Sequence, residues 1–460
     1  MERRDILSGL ALGTLATSFA AASPARANWG FVAPGPDAPK DFDKRMPVNK
    51  ARAYEIMDRE GLDAIVAMNP VNVFYLGNYI PYEMQKLRTI SSFAIMPRDE
   101  KLPIFLVVST PDLEFIATGD RDYPEVITYT GVRDWQPYLD HDKWSVEPPA
   151  PPIALPAHPE SLSIREKQYA DLVKRIGTRR SATPEWALVK ALEECGLLKG
   201  KIAVDDMRIA EILKMLERTD VTCVPGDNTF RKIRLIKSEV ELKHMRTIAR
   251  INQDACMAML GQLHVGMGKV DVDRIFMKEA ADRGAKAVWI VSGSTGGFPD
   301  DVAKPGRAMI VDAVSQRNFY HGDFGRTFVF GEPSPEILER MRILKIGRDT
   351  ALGMIKPGLK YSELRKAVGE AMDGSYRGGE RIRFGVGPHS VGLQHTDQPY
   401  RDGLPFAVPD DITLQAGMTL TVDLPTIEMG WGGIHFEDLL KVTPTGVEPL
   451  ATLSDPLVVL

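Results

Sequence analysis

Ile310-Val-Asp312-Ala-Val-Ser-Gln-Arg-Asn-Phe-Tyr320-His-Gly-Asp323-Phe-Gly-Arg-Thr-Phe328 is the stretch from which the rest of the chain can be read. Its two aspartates stand eleven residues apart, each in or beside a short apolar run of strand character. Met309-Ile-Val311 leads into Asp312, and Arg326-Thr-Phe-Val-Phe330 follows Asp323. The segment between them is polar enough to turn. Two strands joined in this way bring both carboxylates to one place, with no basic run nearby to neutralise them. Paired carboxylates so placed need a metal ion, or one of them stays protonated.

The chain has 460 residues, long enough for two or three domains with sizeable cores. Apolar residues make up 44% and charged residues 26%, an ordinary globular composition. A net charge of −5 gives no reason to expect nucleic acid or an anionic membrane as partner. Cys195, Cys223 and Cys256 form no CxxC and no Cys/His zinc spacing. Their odd number opposes a disulfide framework, and buried free thiols are the expectation. At the N-terminus Arg3-Arg4-Asp-Ile-Leu precedes an apolar run over residues 7–21, and Ala25-Arg26-Ala27 supplies an A-x-A cleavage site. Residues 1–27 therefore read as a signal peptide similar to the twin-arginine type, and residues 28–45 as an extended leader. A periplasmic or secreted location follows, and no other segment is apolar enough for a stable membrane span.

Residues 46–230 read as an α/β domain. Lys50 to Glu60 has helical spacing, and Ala64 to Met68 is a buried strand. Asn69-Pro70 is read as a turn into a further strand at Val71 to Leu76. More strands are expected at Ser91 to Met96, Ile104 to Val108, Val126 to Tyr129 and Lys201 to Val204. Helices fall between them, notably over residues 182–194 and Arg208 to Leu216, while proline-rich residues 147–161 read as an irregular insertion. In residues 231–460 the capping box Ser238-Glu-Val-Glu241 opens a long helix, Ser334-Pro335 opens a second, and a third begins near Ser362. Strands are expected at Ala287 to Val291, Ala308 to Val314, Thr327 to Phe330, Met418 to Leu424 and Ile434 to Val442. That grouping of strands and helices is an α+β catalytic domain.

Three further elements supply what the aspartate pair lacks. Gly385-Val-Gly-Pro-His389-Ser-Val-Gly-Leu-Gln-His395 sets a histidine among glycines, which suits close backbone approach to a metal or ligand. In Gly417-Met-Thr-Leu-Thr-Val-Asp423, alternation puts Thr419, Thr421 and Asp423 on one face of a strand. In Gly433-Ile-His435-Phe-Glu437, His435 and Glu437 share a face by the same period. Asp312, Asp323, His389, Asp423 and Glu437 then make four carboxylates and one imidazole. That set suits two divalent ions of the Mn, Co, Fe or Zn kind rather than a thiolate zinc site.

This ordered set resembles the creatinase/prolidase/aminopeptidase P family. Its Asp…Asp spacing is matched by Asp312 and Asp323, and its Tyr-x-Ser-Asp-x-x-Arg-Thr pattern is approximated by Tyr320-His-Gly-Asp323-Phe-Gly-Arg326-Thr327. Its Gly-His-x-x-Gly histidine is matched by His389 to Gly392 and its final Glu-Asp by Glu437-Asp438. Gly61-Leu-Asp-Ala-Ile65, Asn72-Val-Phe-Tyr-Leu-Gly77 and Arg234-Leu-Ile-Lys-Ser-Glu-Val-Glu-Leu242 extend the likeness over about residues 47–447. The resemblance implies an α/β creatinase-like N-terminal domain plus an α+β pita-bread C-terminal catalytic domain. It also implies a homodimer and an Xaa-Pro peptidase-like metallohydrolase acting on a short peptide or other small molecule. In that reading metal-activated water attacks an amide carbonyl.

Several positions depart from the pattern. The fourth ligand is Asp423 rather than Glu, and the residue two before the last Glu is His435 rather than Arg. Val291-Ser-Gly-Ser-Thr-Gly-Gly-Phe298 holds no counterpart of the peptidases' upstream histidine. His395 follows His389 by six residues instead of seven. His395, His435, Arg326 and His321 are taken as the catalytic candidates, with His435 or His321 replacing the absent histidine as proton carrier. Arg326 is expected to brace an aspartate or a substrate carboxylate, Trp431 to line a pocket and Trp289 to pack in the core. These departures keep open a creatinase-like or sulfoniopropionate-lyase-like small-molecule enzyme, and a non-catalytic binding protein with a degenerate site.

Overall fold

The structure is a computed structural model that describes residues 43–82, 92–130, 144–153, 158–293, 302–375, 384–404 and 407–460. The expected signal peptide and most of the leader lie outside them. The N-terminal sheet comprises β1 (Ala64–Ala67), β2 (Phe93–Pro97), β3 (Phe105–Ser109), β4 (Glu125–Tyr129), β5 (Arg180–Ser181), β6 (Gly200–Val204) and β7 (Val221–Pro225). Its order is β5-β4-β3-β2-β1-β6-β7. The central strands are continuous apolar runs because helices cover both faces. Ile65 and Ala67 pack against helices Lys50–Glu60 and Pro70–Gly77, while Ala64 and Val66 pack against Pro184–Glu194 and Arg208–Met215.

Helix Pro70–Gly77 corrects the expectation of a strand at Val71 to Leu76. Asn69 is the N-cap, its side chain accepting from the Val71 amide at 3.1 Å, and Pro70 occupies the first turn. Residues 72–77 are all buried, so no polar face betrays the helical period, and the β-branched and aromatic content suggests a strand instead.

The catalytic sheet follows. Its strands are β8 (Lys286–Gly293), β9 (Met309–Arg317), β10 (Tyr320–Val329), β11 (Gly387–Ser390) and β12 (Thr419–Asp423). A small ribbon of β13 (Thr426–Glu428) and β14 (Gly432–Ile434) intervenes before β15 (Glu437–Val442), β16 (Val447–Pro449) and β17 (Leu457–Val459). The order is β11-β12-β15-β10-β9-β8, with β16 added to β15 and β17 to β10. The single strand expected over Ile434 to Val442 is thus broken at His435 and Phe436, and Asp323 lies well inside a strand. Helix Glu239–Leu260 starts at the expected box: the Ser238 amide donates to Glu241 at 2.9 Å and the Glu241 amide to Ser238 at 3.1 Å. It packs on β10 and β9, where Asn252 donates to the Ala313 carbonyl at 2.7 Å.

β9 and β10 form a hairpin whose two-residue turn is Asn318-Phe319, both left-handed at φ 52° and 64°. Such a turn matches strand twist. Its tip is docked on the N-terminal domain. Phe319 meets Phe74 at 5.7 Å, and Arg121 donates to the Asn318 side chain at 3.0 Å. No helix among the described residues is long and apolar enough to cross a membrane.

Candidate metal centre

The sheet register sets the site before any side chain is placed. Asp312 on β9 faces Gly325 on β10, and Gly325 faces Glu437 on β15. Opposed residues of antiparallel strands share a face, so one row reads carboxylate, glycine, carboxylate. Asp323 lies two residues along β10 on that same face. Gly387 pairs with Asp423 and His389 with Thr421, which aligns His389 and Asp423. Val311, Ala313 and Phe324 turn the other way into apolar core.

All five sequence-predicted ligands come together. Ligand-type atoms of Asp323, His389 and His395 lie within 4.8 Å of one another, as do those of Asp312, His435 and Glu437. His395 Nε2 is 3.0 Å from Asp323 Oδ2. His389 Nε2 is 3.5 Å from Glu437 Oε1 and 3.8 Å from Asp323 Oδ2, which links the two groups. His435 Nε2 stands 2.7 Å from Asp423 Oδ1 and 3.5 Å from Glu437 Oε2.

The electrostatics follow from burial and crowding. Burial raises the Asp312 carboxyl pKa. Burial and then the charge of Asp312 push Asp323 well above the carboxylate range, and burial and then Asp323 do the same to Glu437. Burial opposes a charged His435, but the Asp423 hydrogen bond and the charges of Asp312, Glu437 and Asp423 together push it up to about 9. Burial lowers His395, favouring the neutral imidazole.

Whether a metal fits can be judged from the carboxylate oxygens. Both oxygens of Asp323, Oδ1 of Asp312 and Oε1 of Glu437 are sealed from solvent without a hydrogen bond. Each buried polar atom left so costs about 1–3 kcal/mol. Carboxylate oxygens and imidazole nitrogens are donors that Mn, Fe, Co and Zn accept. The residues present fit a divalent ion.

The other candidates stand apart from the two ligand groups. Arg326 does not enter the cluster. Its buried guanidinium is engaged by Asp438 at 2.8 Å, Ser454 at 2.8 Å, and the carbonyls of Gly325 at 2.7 Å and Glu437 at 3.0 Å. It braces an aspartate, though not one of the ligand candidates, and its hydrogen bonds run along the backbone beneath them. His321 shares the face of Asp323 in the strand register, yet its Nδ1 is buried without a hydrogen bond. Burial and then the charge of His395 lower its pKa to about 4. Trp289 is not core: it is 37% exposed and meets His395 edge-on at 4.6 Å. Trp431 is covered by the Arg340 guanidinium at 3.6 Å.

Sequence reasoning also missed two residues. Gly325 has the His435 ring lying where its Cβ would be. The Thr327 hydroxyl accepts from the His435 amide at 2.8 Å and donates to the His435 carbonyl at 3.1 Å. The signal for Gly325 was a glycine inside a strand, which marks close approach of another group.

Residues 243–444 match the model of metallopeptidase family M24. This catalytic half is thus similar to the M24 metallopeptidases, in line with the creatinase/prolidase resemblance of the sequence. It is 26% identical over 241 residues to an Xaa-Pro dipeptidase of Pyrococcus horikoshii, which spans 50% of this chain and 67% of that protein. It is 23% identical over 320 residues to a probable dipeptidase, PepE, of Mycobacterium tuberculosis, covering 67% and 83%. The prolidase structure from Pyrococcus horikoshii superposes over 89% of this chain and 99% of that one, with TM-score 0.60 and 18% identity. An X-Pro aminopeptidase from Thermotoga maritima covers 88% and 99% with TM-score 0.63 and 18% identity. The architecture is therefore the two-domain pita-bread fold of the creatinase/prolidase family. Within that family's site, the two departures Asp423 and His435 are hydrogen-bonded to each other. The shorter acid and the new imidazole thus form one unit.

Proposed function

We propose that the protein is a metal-dependent hydrolase of the Xaa-Pro peptidase class. The observation that supports this is the row Asp312, Gly325, Glu437 with Asp323 beside it: buried carboxylates, unsatisfied by protein donors, and ringed by imidazoles. A divalent ion bound there supplies Lewis-acid polarisation of an amide carbonyl and makes water more acidic. Asp312, Asp323, His389, Asp423 and Glu437 would hold it. Glu437 Oε1 is buried without a hydrogen bond, 3.5 Å from His389 Nε2, and this carboxylate is placed to accept a proton in the cluster. His395 is kept neutral by burial and lies at the mouth beside Trp289, placed to stabilise the tetrahedral oxyanion or protonate a leaving amine. The exposed Trp289 edge offers an apolar wall to a prolyl ring. His321, with its low pKa and buried nitrogen, serves this reading as a neutral neighbour of His395. The same proposal carries a short-peptide substrate, two ions drawn from Mn, Co, Fe and Zn, a homodimer and twin-arginine export to the periplasm or beyond.

The test combines metal analysis with assays on Xaa-Pro dipeptides and longer Xaa-Pro peptides, wild type beside Asp323→Ala. Bound divalent metal with Xaa-Pro cleavage, both lost in the variant, supports the proposal. Bound metal without cleavage of any Xaa-Pro bond sinks the peptidase assignment.

A further inference from the structure

His435 is the residue whose placement the metal-hydrolase reading does not explain. Its ring lies over Gly325, in the slot between the Asp312 and Glu437 positions, because Gly325 has no Cβ. The backbone of His435 is clamped from both sides by the Thr327 hydroxyl, at 2.8 and 3.1 Å. Its Nδ1 is 3.2 Å from the Val311 carbonyl oxygen, which can only accept, so Nδ1 carries a proton. Nε2 then faces acceptors alone: Asp423 Oδ1 at 2.7 Å and Glu437 Oε2 at 3.5 Å. Three groups of acceptor character point at one space, and only a proton or a metal cation can sit among them.

We propose that His435 is a metal ligand in this chain, its Nε2 completing a site with Asp312 and Glu437 beside the shortened acid Asp423, and that Gly325 is the residue that admits it. The proposal rests on the metal-hydrolase reading and deepens it. An imidazole bonded through its remote nitrogen to a backbone carbonyl is how ligating histidines are oriented. The 3.5 Å between Nε2 and Glu437 Oε2 is close to the edge of a tetrahedron with bonds of about 2.1 Å, roughly 3.4 Å. Oδ1 of Asp312 and Oε1 of Glu437 are buried without partners in the same group. An aspartate is one methylene shorter than glutamate, and the imidazole that touches Asp423 Oδ1 at 2.7 Å fills the reach it gives up. Exchanging a carboxylate for an imidazole moves the site toward zinc, iron or cobalt and away from manganese.

The experiment uses the full chain loaded with Co(II) or Cd(II), reading metal affinity, the Co(II) absorption spectrum and, in histidine-15N protein, cadmium–nitrogen coupling. His435→Gln and Gly325→Ala are compared with wild type, each checked by circular dichroism. Expected are a cadmium-coupled Nε2 whose partner Nδ1–H exchanges slowly, loss of that signal in His435→Gln, and an affinity drop of about tenfold or more in both variants. Gly325→Ala keeps the histidine and excludes its ring, so it separates ligation from mere presence. Should His435→Gln fail to fold, the coupling in wild type still decides. A His435→Gln protein with wild-type affinity and spectrum, or wild type with no slowly exchanging coupled imidazole, overturns the ligand assignment alone. Wild type that binds no metal overturns the underlying reading.

Discussion

Two buried charge clusters flank the loop 391–398, and they are built on opposite principles. In the first, Asp397 is answered from within the chain. Arg234 Nη2 lies 2.6 Å from its Oδ1, Lys237 Nζ 3.6 Å from its Oδ2, and the Leu393 amide donates at 3.1 Å. Burial alone would raise the Asp397 carboxyl, but Arg234, Lys237 and Arg231 hold it below its ordinary value. In the second, Asp312, Asp323, Glu437 and Asp423 share only imidazoles, and burial and mutual repulsion raise the first three. One cluster is finished on folding; the other is finished by what it binds. His395 belongs to the loop that joins them, so the closed cluster positions a residue of the open one.

The contrast makes opposite predictions for two aspartates. Asp323→Asn is expected to abolish metal binding and to cut activity by roughly three orders of magnitude or more. The metal-free variant should be at least as stable as metal-free wild type, since an amide is never charged in a site where burial and Asp312 disfavour the carboxylate; a marked loss of stability would erase the distinction. Asp397→Asn is expected to cost about 3–5 kcal/mol, because Arg234 and Lys237 are left buried and unpaired. Chemical denaturation of the chelator-treated protein measures it, and an unchanged midpoint would show the closed cluster to be ornamental. Removing metal by chelation should lower the stability of wild type but not of Asp323→Asn. The difference is about 2.7 kcal/mol when free metal had been a hundred times its dissociation constant.

A pH-dependent effect lies beside the closed cluster. Burial pushes the Glu241 carboxyl up to about 8, against the pull of Lys237. The folded chain then holds a proton that the unfolded chain releases near its ordinary 4.5. Stability from this group is fully present below that value and is lost as pH rises through about 8, by at most roughly 1.4 kcal/mol per pH unit. Glu241→Gln should flatten the denaturation midpoint across this window. Parallel profiles for variant and wild type would remove Glu241 from the account.

Much of this was legible in the sequence, for identifiable reasons. Asp312, Asp323, His389, Asp423 and Glu437 each sit in or beside a strand-like run or among glycines, so the set is legible as residue types in order, and alternation places Asp423 with Thr421 and Glu437 with His435. Helix Pro70–Gly77 was not legible by period, because a segment buried all round has none, although Asn69-Pro70 carried a helix start. Arg326 does brace an aspartate, as its residue type suggests, but that the aspartate is Asp438, and that the His435 ring lies over Gly325, are set by register across strands and by the Gly325 gap. The exposure of Trp289 is not legible, because an indole in a strand pattern says nothing of which side of β8 is covered. Local pattern yields the face; only pairing yields the neighbour.

The docked hairpin tip has a consequence of its own. Asn318 and Phe319 are both left-handed, a conformation with an energetic cost for residues other than glycine. What holds them there belongs to the other domain: the Phe74 ring and the Arg121 guanidinium. The two strands that carry Asp312 and Asp323 are thus tethered at their far end by a part of the chain that supplies none of the candidate ligands. An excised catalytic half would retain every donor atom and the ladder that aligns them, and would lose the clamp on the turn from which that ladder starts.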